Sequence, residues 1–352
     1  MVNRRYSHYI RRKGTYDVSG ANRRMRQITD NILIFALPLI LLFTVNFGKD
    51  KEEKPVMAEK EAASSISTVS IVVYNHADAA IDEMDLESYL AGVVAAEMPH
   101  SFHYEALKAQ AVASRTFALS RMQGLYGSTD GHYGADVCTD PGHCQAWISR
   151  ERFLEAYGNE EDWEKICRAV SETHNVVIQY DGVLINPLYH SNSGGVTEDI
   201  EDVWNNVGKV PYLRSVYSPY EEDYSQYEKI NVFSWDEIKR KTEKRYPEAG
   251  LGNDPAQDME IMSYSASGRI DSIRLGSVII TGTEFRELLG LPSTNLEISF
   301  IDGNQVEILS RGFGHGVGMS QCGADALGSK GYDYEEILKF YYTGVTVEEI
   351  KY

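Results

Sequence analysis

The chain has 352 residues and a formal charge of −18, with 43% hydrophobic and 24% charged residues. That length suits one large domain or two smaller ones, the apolar fraction is enough for a sizeable core, and so acidic a chain argues against a nucleic-acid partner. Four cysteines are too few to staple a fold of this size, so its stability must come from packing.

The charge is uneven. Residues 1–30 hold eight basic and two acidic side chains, a net of +6 that leaves −24 on the remainder. There follows ILIFALPLILLFTVNFG, Ile32 to Gly48, about the shortest apolar run that can cross a bilayer. With its basic flank it predicts a cytoplasmic tail over 1–30, a single transmembrane helix over 31–48 and an external C-terminal region. A cleaved signal peptide is the rival reading, but TVNFGKDKEEKP offers no convincing small-x-small cleavage site. Residues 49–67 are charged, then small and polar, and read as a linker. The folded region is therefore expected over 68–352.

TVSIVVYNH reads as a strand and DLESYLAGVVAAEM as a helix, capped by Asp85 and stopped at Pro99. HYEALKAQAVASRTFALSRM is a second helix whose alanines permit close packing, and WEKICRAVSET is amphipathic with Cys167 on its core side. Asp181-Gly182 between two apolar runs predicts a hairpin. SWDEIKRKTEKRY opens with a capping box, Ser234 and Glu237. Strands are expected at Met259–Tyr264, Arg269–Leu275, Leu296–Ile301 and Gln305–Leu309, with a short helix in TGTEFRELLG and a closing helix and strand in YDYEEILKFYYTGVTVEEI. Helices early and strands later predict α+β rather than a repeating βαβ sheet. The expected architecture is thus one N-terminal transmembrane helix followed by a mixed region of helices and antiparallel strands with a substrate groove.

Three places carry chemistry. Glu97 follows Leu86, Leu90 and Val93 on one helical face. Desolvation there would raise its pKa and keep a proton available for a leaving group; a frayed helix end in water is the other reading. His132, Cys138, His143 and Cys144 fall within thirteen residues, and Pro141-Gly142 supplies a turn that lets them converge. Two imidazoles and two thiolates suit tetrahedral zinc; a Cys138–Cys144 disulfide and free thiols also fit the spacing. SRGFGHGVGMSQCGA, Ser310 to Ala324, and HSNSGGVTED, His190 to Asp199, read either as flat backbone for a polysaccharide groove or as tight turns.

Together YLAGVVAAEMP, EALKAQAVASRTFAL, DVCTDPGHCQAW, HSNSGGVTED with EDVW, and RGFGHGVGMSQCGADAL with KGYDYEEILKFYYTGV resemble the stage II sporulation protein D family, within the wider amidase-enhancer family. The resemblance spans about residues 68–352. It implies a membrane-anchored lytic transglycosylase that acts on peptide-stripped peptidoglycan strands during forespore engulfment. The partners it implies are a cell-wall amidase and a small integral membrane protein. The family's catalytic glutamate falls on Glu97, and the zinc ligands of some clostridial-type members fall on His132, Cys138, His143 and Cys144. Ser193, His315 and Gln321 become candidate glycan contacts. Arg115 either positions Glu97 or forms a structural salt bridge. Cys322 departs from the pattern, where a tyrosine is expected. Two other functions stay open: a zinc-dependent cell-wall hydrolase, which needs an open metal position, and a glycan-binding amidase activator without turnover.

Overall fold

A hairpin begins the part of the chain that the structure, a computed structural model, describes: residues 69–127, 131–301 and 304–351. Strand β1 (Ser70–Asn75) turns Ile71 and Val73 inward, and β2 (Ala80–Asp85) returns antiparallel to it. Asp85 then caps α1 (Leu86–Glu97), its carboxylate accepting from the Ser88 amide at 2.9 Å. The helix buries Leu86, Tyr89, Leu90, Val93 and Val94 and stops at Met98, before Pro99. Helix α2 (Tyr104–Met122) is almost wholly interior, and Ala106, Ala109, Ala111 and Ala113 let its neighbours approach closely.

Strand β3 (Val137–Cys138) adds to β1 in parallel. After α3 (Arg150–Ala156), helix α4 (Glu160–Glu172) starts with an Asn159–Asp162 capping box and turns Ile166, Ala169 and Val170 inward; Cys167 is half-buried against the same core. Asp181 and Gly182 have φ of +50° and +76°, as a type I′ turn requires, and join β4 (Val176–Tyr180) to β5 (Val183–Leu184). The second run is not one long strand. It breaks at Asn186-Pro187, and β6 (Tyr189–His190) pairs elsewhere. A single turn, α5 (Ile200–Val203), follows.

A second core then forms around Trp235, Ile238, Ile273, Phe285 and Ile308. Its elements are β7 (Glu228–Ser234), α6 (Trp235–Arg245), α7 (Pro255–Asp258), β8 (Met259–Tyr264), β9 (Ile270–Leu275), β10 (Val278–Thr281), α8 (Gly282–Leu289), β11 (Asn295–Ile301) and β12 (Gln305–Arg311). They make two antiparallel sheets, ordered β10-β9-β8 and β11-β12-β7. The chain returns to the first core through β13 (Met319–Ser320), α9 (Gln321–Ser329) and α10 (Tyr334–Tyr341), and β14 (Thr346–Glu349) closes antiparallel on β4.

Helices and mainly antiparallel strands are thus mixed, with parallel pairings at β1–β3 and β6–β13. The transmembrane part of the expected architecture needs correction: among the described residues no helix is long and apolar enough to cross a membrane. The longest, α2, carries Glu105, Lys108, Arg115 and Arg121, charges that a lipid-facing span excludes. The tail at 1–30, the apolar run at 31–48 and the linker at 49–67 lie outside the described residues.

Candidate active site

Glu97 is the last residue of α1, at the end of the buried stripe of Leu86, Leu90 and Val93. The residue as a whole is half-buried, yet its neighbours crowd the carboxyl group enough that desolvation pushes its pKa up to about 7. Two hydrogen bonds oppose that shift, from the Ala146 amide, 2.6 Å from Oε1, and from the Tyr189 side chain.

Ala146 arrives there because residues 144–148 run along α1. The Ile148 amide donates to the Gly92 carbonyl at 3.2 Å. Gly92 is required: a Cβ on it would stand 2.2 Å from Trp147 Nε1 and 2.7 Å from the Ile148 oxygen. Between Cys144 and Ala146, the buried Gln145 accepts from the Tyr89 hydroxyl at 3.4 Å and donates to the Tyr189 hydroxyl at 3.0 Å. From the other side Gln321, at the start of α9, donates through Nε2 to the Glu97 carbonyl at 2.9 Å and to Gln110 Oε1 at 3.3 Å. Five stretches of chain therefore converge on one carboxyl group.

The same 144–148 segment is anchored at its start by the His/Cys cluster. One ligand atom each from His132, Cys138, His143 and Cys144 lies within 4.8 Å of the others. His132 Nε2 is 2.8 Å from His143 Nδ1 and 3.3 Å from Cys144 Sγ; Cys138 Sγ and Cys144 Sγ stand 3.7 and 3.5 Å from His143 Nδ1. A zinc tetrahedron with bonds of about 2.0–2.3 Å has edges of roughly 3.3–3.8 Å, so the donors fit with small adjustment. Both thiols are free. Burial pushes the Cys144 thiol up to about 12, so a thiolate here depends on a cation beside it.

The two glycine-rich segments pair with each other. Asn192 and Phe313 exchange backbone hydrogen bonds of 3.0 and 2.8 Å, and the Glu198 amide donates to the Gly316 carbonyl at 2.7 Å. A Cβ on Gly194 or Gly312 would strike the opposing backbone at 2.8 or 2.7 Å, so side chains are excluded at this crossing. His315 is half-buried in the paired loop, its ring centroid 5.2 Å from that of Trp204 and 5.6 Å from that of His190.

Of the expected glycan contacts, Gln321 and His315 border the Glu97 region and Ser193 does not face it. Ser193 is fully buried, and its amide and hydroxyl donate to Glu221 at 2.7 and 2.8 Å. Ser218 also bonds Glu221, so this buried carboxylate organises the loop from within. Arg115 is likewise interior and structural. It grips Glu87 through Nε (3.1 Å) and Nη2 (2.8 Å) and donates to the Thr173 and Val170 carbonyls at 2.8 and 3.1 Å at the end of α4. Cys322 is buried beneath the loop, its amide on the Ser191 carbonyl at 2.9 Å. Gln145 and Tyr189, which no sequence pattern singles out, stand closer to Glu97 than Arg115 does in hydrogen-bond terms; Gln145 follows the last His/Cys donor directly, the one hint available.

Comparison with known proteins supports one grouping. Residues 74–180 match the SpoIID family, described as stage II sporulation protein. The chain is 31% identical over 330 residues to stage II sporulation protein D of Bacillus subtilis, covering 90% of this chain and 93% of that protein. The protein of that name from Bacillus amyloliquefaciens is also 31% identical, over 331 residues, with the same coverage. The amidase enhancer of Bacillus subtilis is 25% identical over 307 residues, 73% of this chain and 40% of that protein.

Proposed function

On the premise that the chain belongs to the stage II sporulation protein D family, we propose that it is a lytic transglycosylase of peptidoglycan and that Glu97 is its single acid–base catalyst. The observation that carries the reading is the Glu97 carboxyl group, desolvated to a pKa of about 7 yet aimed at a backbone amide. Protonated Glu97 gives its proton to the glycosidic oxygen between MurNAc and GlcNAc. The bond breaks through an oxocarbenium-like state helped by the substrate's acetamido group. Among the described residues no second carboxylate contributes to the Glu97 shift, which favours this substrate-assisted route over a two-carboxylate one. The Ala146 amide and the Tyr189 side chain hold the glutamate once it is ionised. It then takes the proton from the sugar's 6-hydroxyl as the 1,6-anhydro ring closes.

His132, Cys138, His143 and Cys144 would hold a zinc ion with all four positions filled, a structural site. Such an ion would fasten the segment that presents Gln145 and Ala146, and it leaves no open position for a zinc hydrolase. The expected setting is outside the cytoplasm, on glycan strands that a cell-wall amidase has stripped, in sporulation engulfment together with a small membrane protein. Mass spectrometry of stripped strands after incubation with the protein tests the reading. 1,6-Anhydro ends that vanish with Glu97→Gln support it. Ordinary reducing ends, or binding without cleavage, would replace it with a hydrolase or an amidase activator.

A further inference from the structure

Beyond Glu97, the structure brings a group of cations together in an acidic chain. Lysine and arginine number 34 against 52 aspartate and glutamate residues. Arg214, Arg245, Arg274 and Arg311 accordingly each have a carboxylate partner. Arg286, half-buried on α8, has none among the described residues; its hydrogen bond is from Nε to the Leu291 carbonyl at 3.3 Å. The neighbouring Glu287 turns to Arg245 instead.

Arg286 is fastened to the His315 loop. Leu291 accepts its Nε, and the next residue, Pro292, accepts from the Gly314 amide at 3.0 Å. Its charge helps depress the pKa of both His315 and His190, after burial, which is the larger cause. Behind these lies Arg269, 2% exposed, with Nη2 on the Ser193 and Val196 carbonyls but Nε and Nη1 without hydrogen-bond partners; His190 Nε2 is also buried without one. One carboxylate answers the two guanidiniums. Glu198 Oε2 lies 3.8 Å from Arg269 Nε, and it is already bonded by Ser265 and Ser267 at 2.7 and 2.6 Å. A positive excess remains beside His315 and Trp204, whose rings offer a sugar a stacking face. Tyr189 links this place to the catalyst: its side chain meets Glu97 and its backbone carbonyl meets His315.

We propose that Arg286, with His315 and Trp204, forms a subsite that holds the free lactyl carboxylate of a muramic acid residue lacking its stem peptide. This rests on the glycan-cleaving reading of Glu97. GlcNAc carries no ionisable group, whereas muramic acid carries a carboxylate that a guanidinium can hold in a two-pronged pair. A stem peptide converts that carboxylate to an amide, so its charge disappears. The subsite would therefore select stripped strands, and one cationic side chain would set the specificity.

The test measures affinity, in the Glu97→Gln background so that nothing is cleaved. The ligands are a GlcNAc–MurNAc tetrasaccharide with free lactyl carboxylates, its methyl ester, and chitotetraose. Arg286→Gln should weaken binding of the free acid by about tenfold or more, since hydrogen bonds to charged groups contribute that much. It should leave the ester and chitotetraose within about twofold, which also reports an intact fold. Arg286→Lys should recover part of the loss. An equal fall for all three ligands, or no fall for the free acid, overturns the subsite while leaving the catalytic reading in place. If the Glu97→Gln protein binds none of the three, the glycan reading itself fails and the subsite with it.

Discussion

Ala146 donates its backbone amide to Glu97 Oε1 at 2.6 Å, from 49 residues further along the chain. The contact joins the end of a buried helix to a segment whose start is a cluster of four potential metal donors. Acid strength, positioning and a possible metal staple are thereby coupled through two residues of backbone between Cys144 and Ala146. The following expectations probe that coupling.

Glu97→Gln keeps the size of the side chain and an acceptor for the Ala146 amide but cannot carry the proton. Since one group serves as acid and base, turnover of stripped strands should fall by about 10²–10⁴-fold or more. Product release followed by mass spectrometry checks this; a near-normal rate would remove Glu97 from the chemistry.

The pH profile follows from the same group. A carboxyl raised to about 7 is protonated below that value, so kcat/KM should be level in mild acid and decline as the pH rises through 7. Stability has the same sign. The folded state binds the Glu97 proton more tightly than the unfolded chain, so this contribution is present below the usual carboxylate range and lost as pH rises through 7. Glu97→Gln should therefore melt higher than the parent above pH 7, by on the order of 2 kcal/mol, and equally at pH 4. A parent profile that rises through pH 7 would contradict the assignment.

Metal analysis of the purified protein should find one zinc per chain. Cys138→Ser should lose it together with thermal stability, because a metal bound only by the folded state adds its binding energy to folding. Absence of zinc alongside a Cys138–Cys144 disulfide would refute this.

Gly92→Ala places a methyl group where Trp147 lies against α1. Relieving that overlap should cost about 1–3 kcal/mol of stability. It should also reduce turnover of the molecules that remain folded, because Trp147 directly follows Ala146. A melting curve paired with activity per folded molecule separates the two effects. Unchanged activity would show that the 144–148 segment does not position Glu97.

Arg115→Met tests the interior arginine. It strands Glu87 and frees the carbonyls that end α4, so a loss of about 3–5 kcal/mol is expected, with KM unchanged for molecules that remain folded. A selective rise in KM would restore Arg115 to the site.

Much was legible from local pattern alone. Caps and periodicity mark α1 from Asp85 to Pro99, Asp181-Gly182 marks its turn, and Leu86, Leu90 and Val93 place Glu97 at the end of an apolar stripe, because each depends on residues within a few positions of one another. The spacing of His132, Cys138, His143 and Cys144 likewise allows a common centre. What the sequence could not decide are the contacts set by distant segments. Arg115 and Ser193 look equally fit to touch substrate, but the fold encloses both, one against Glu87 and the other against Glu221. Gln145 and Tyr189 carry no pattern of their own and gain their place only when β6, α1 and the segment after the His/Cys cluster pack together. Side-chain type and near-neighbour spacing are local properties; desolvation and partner geometry exist only once the chain has closed around them.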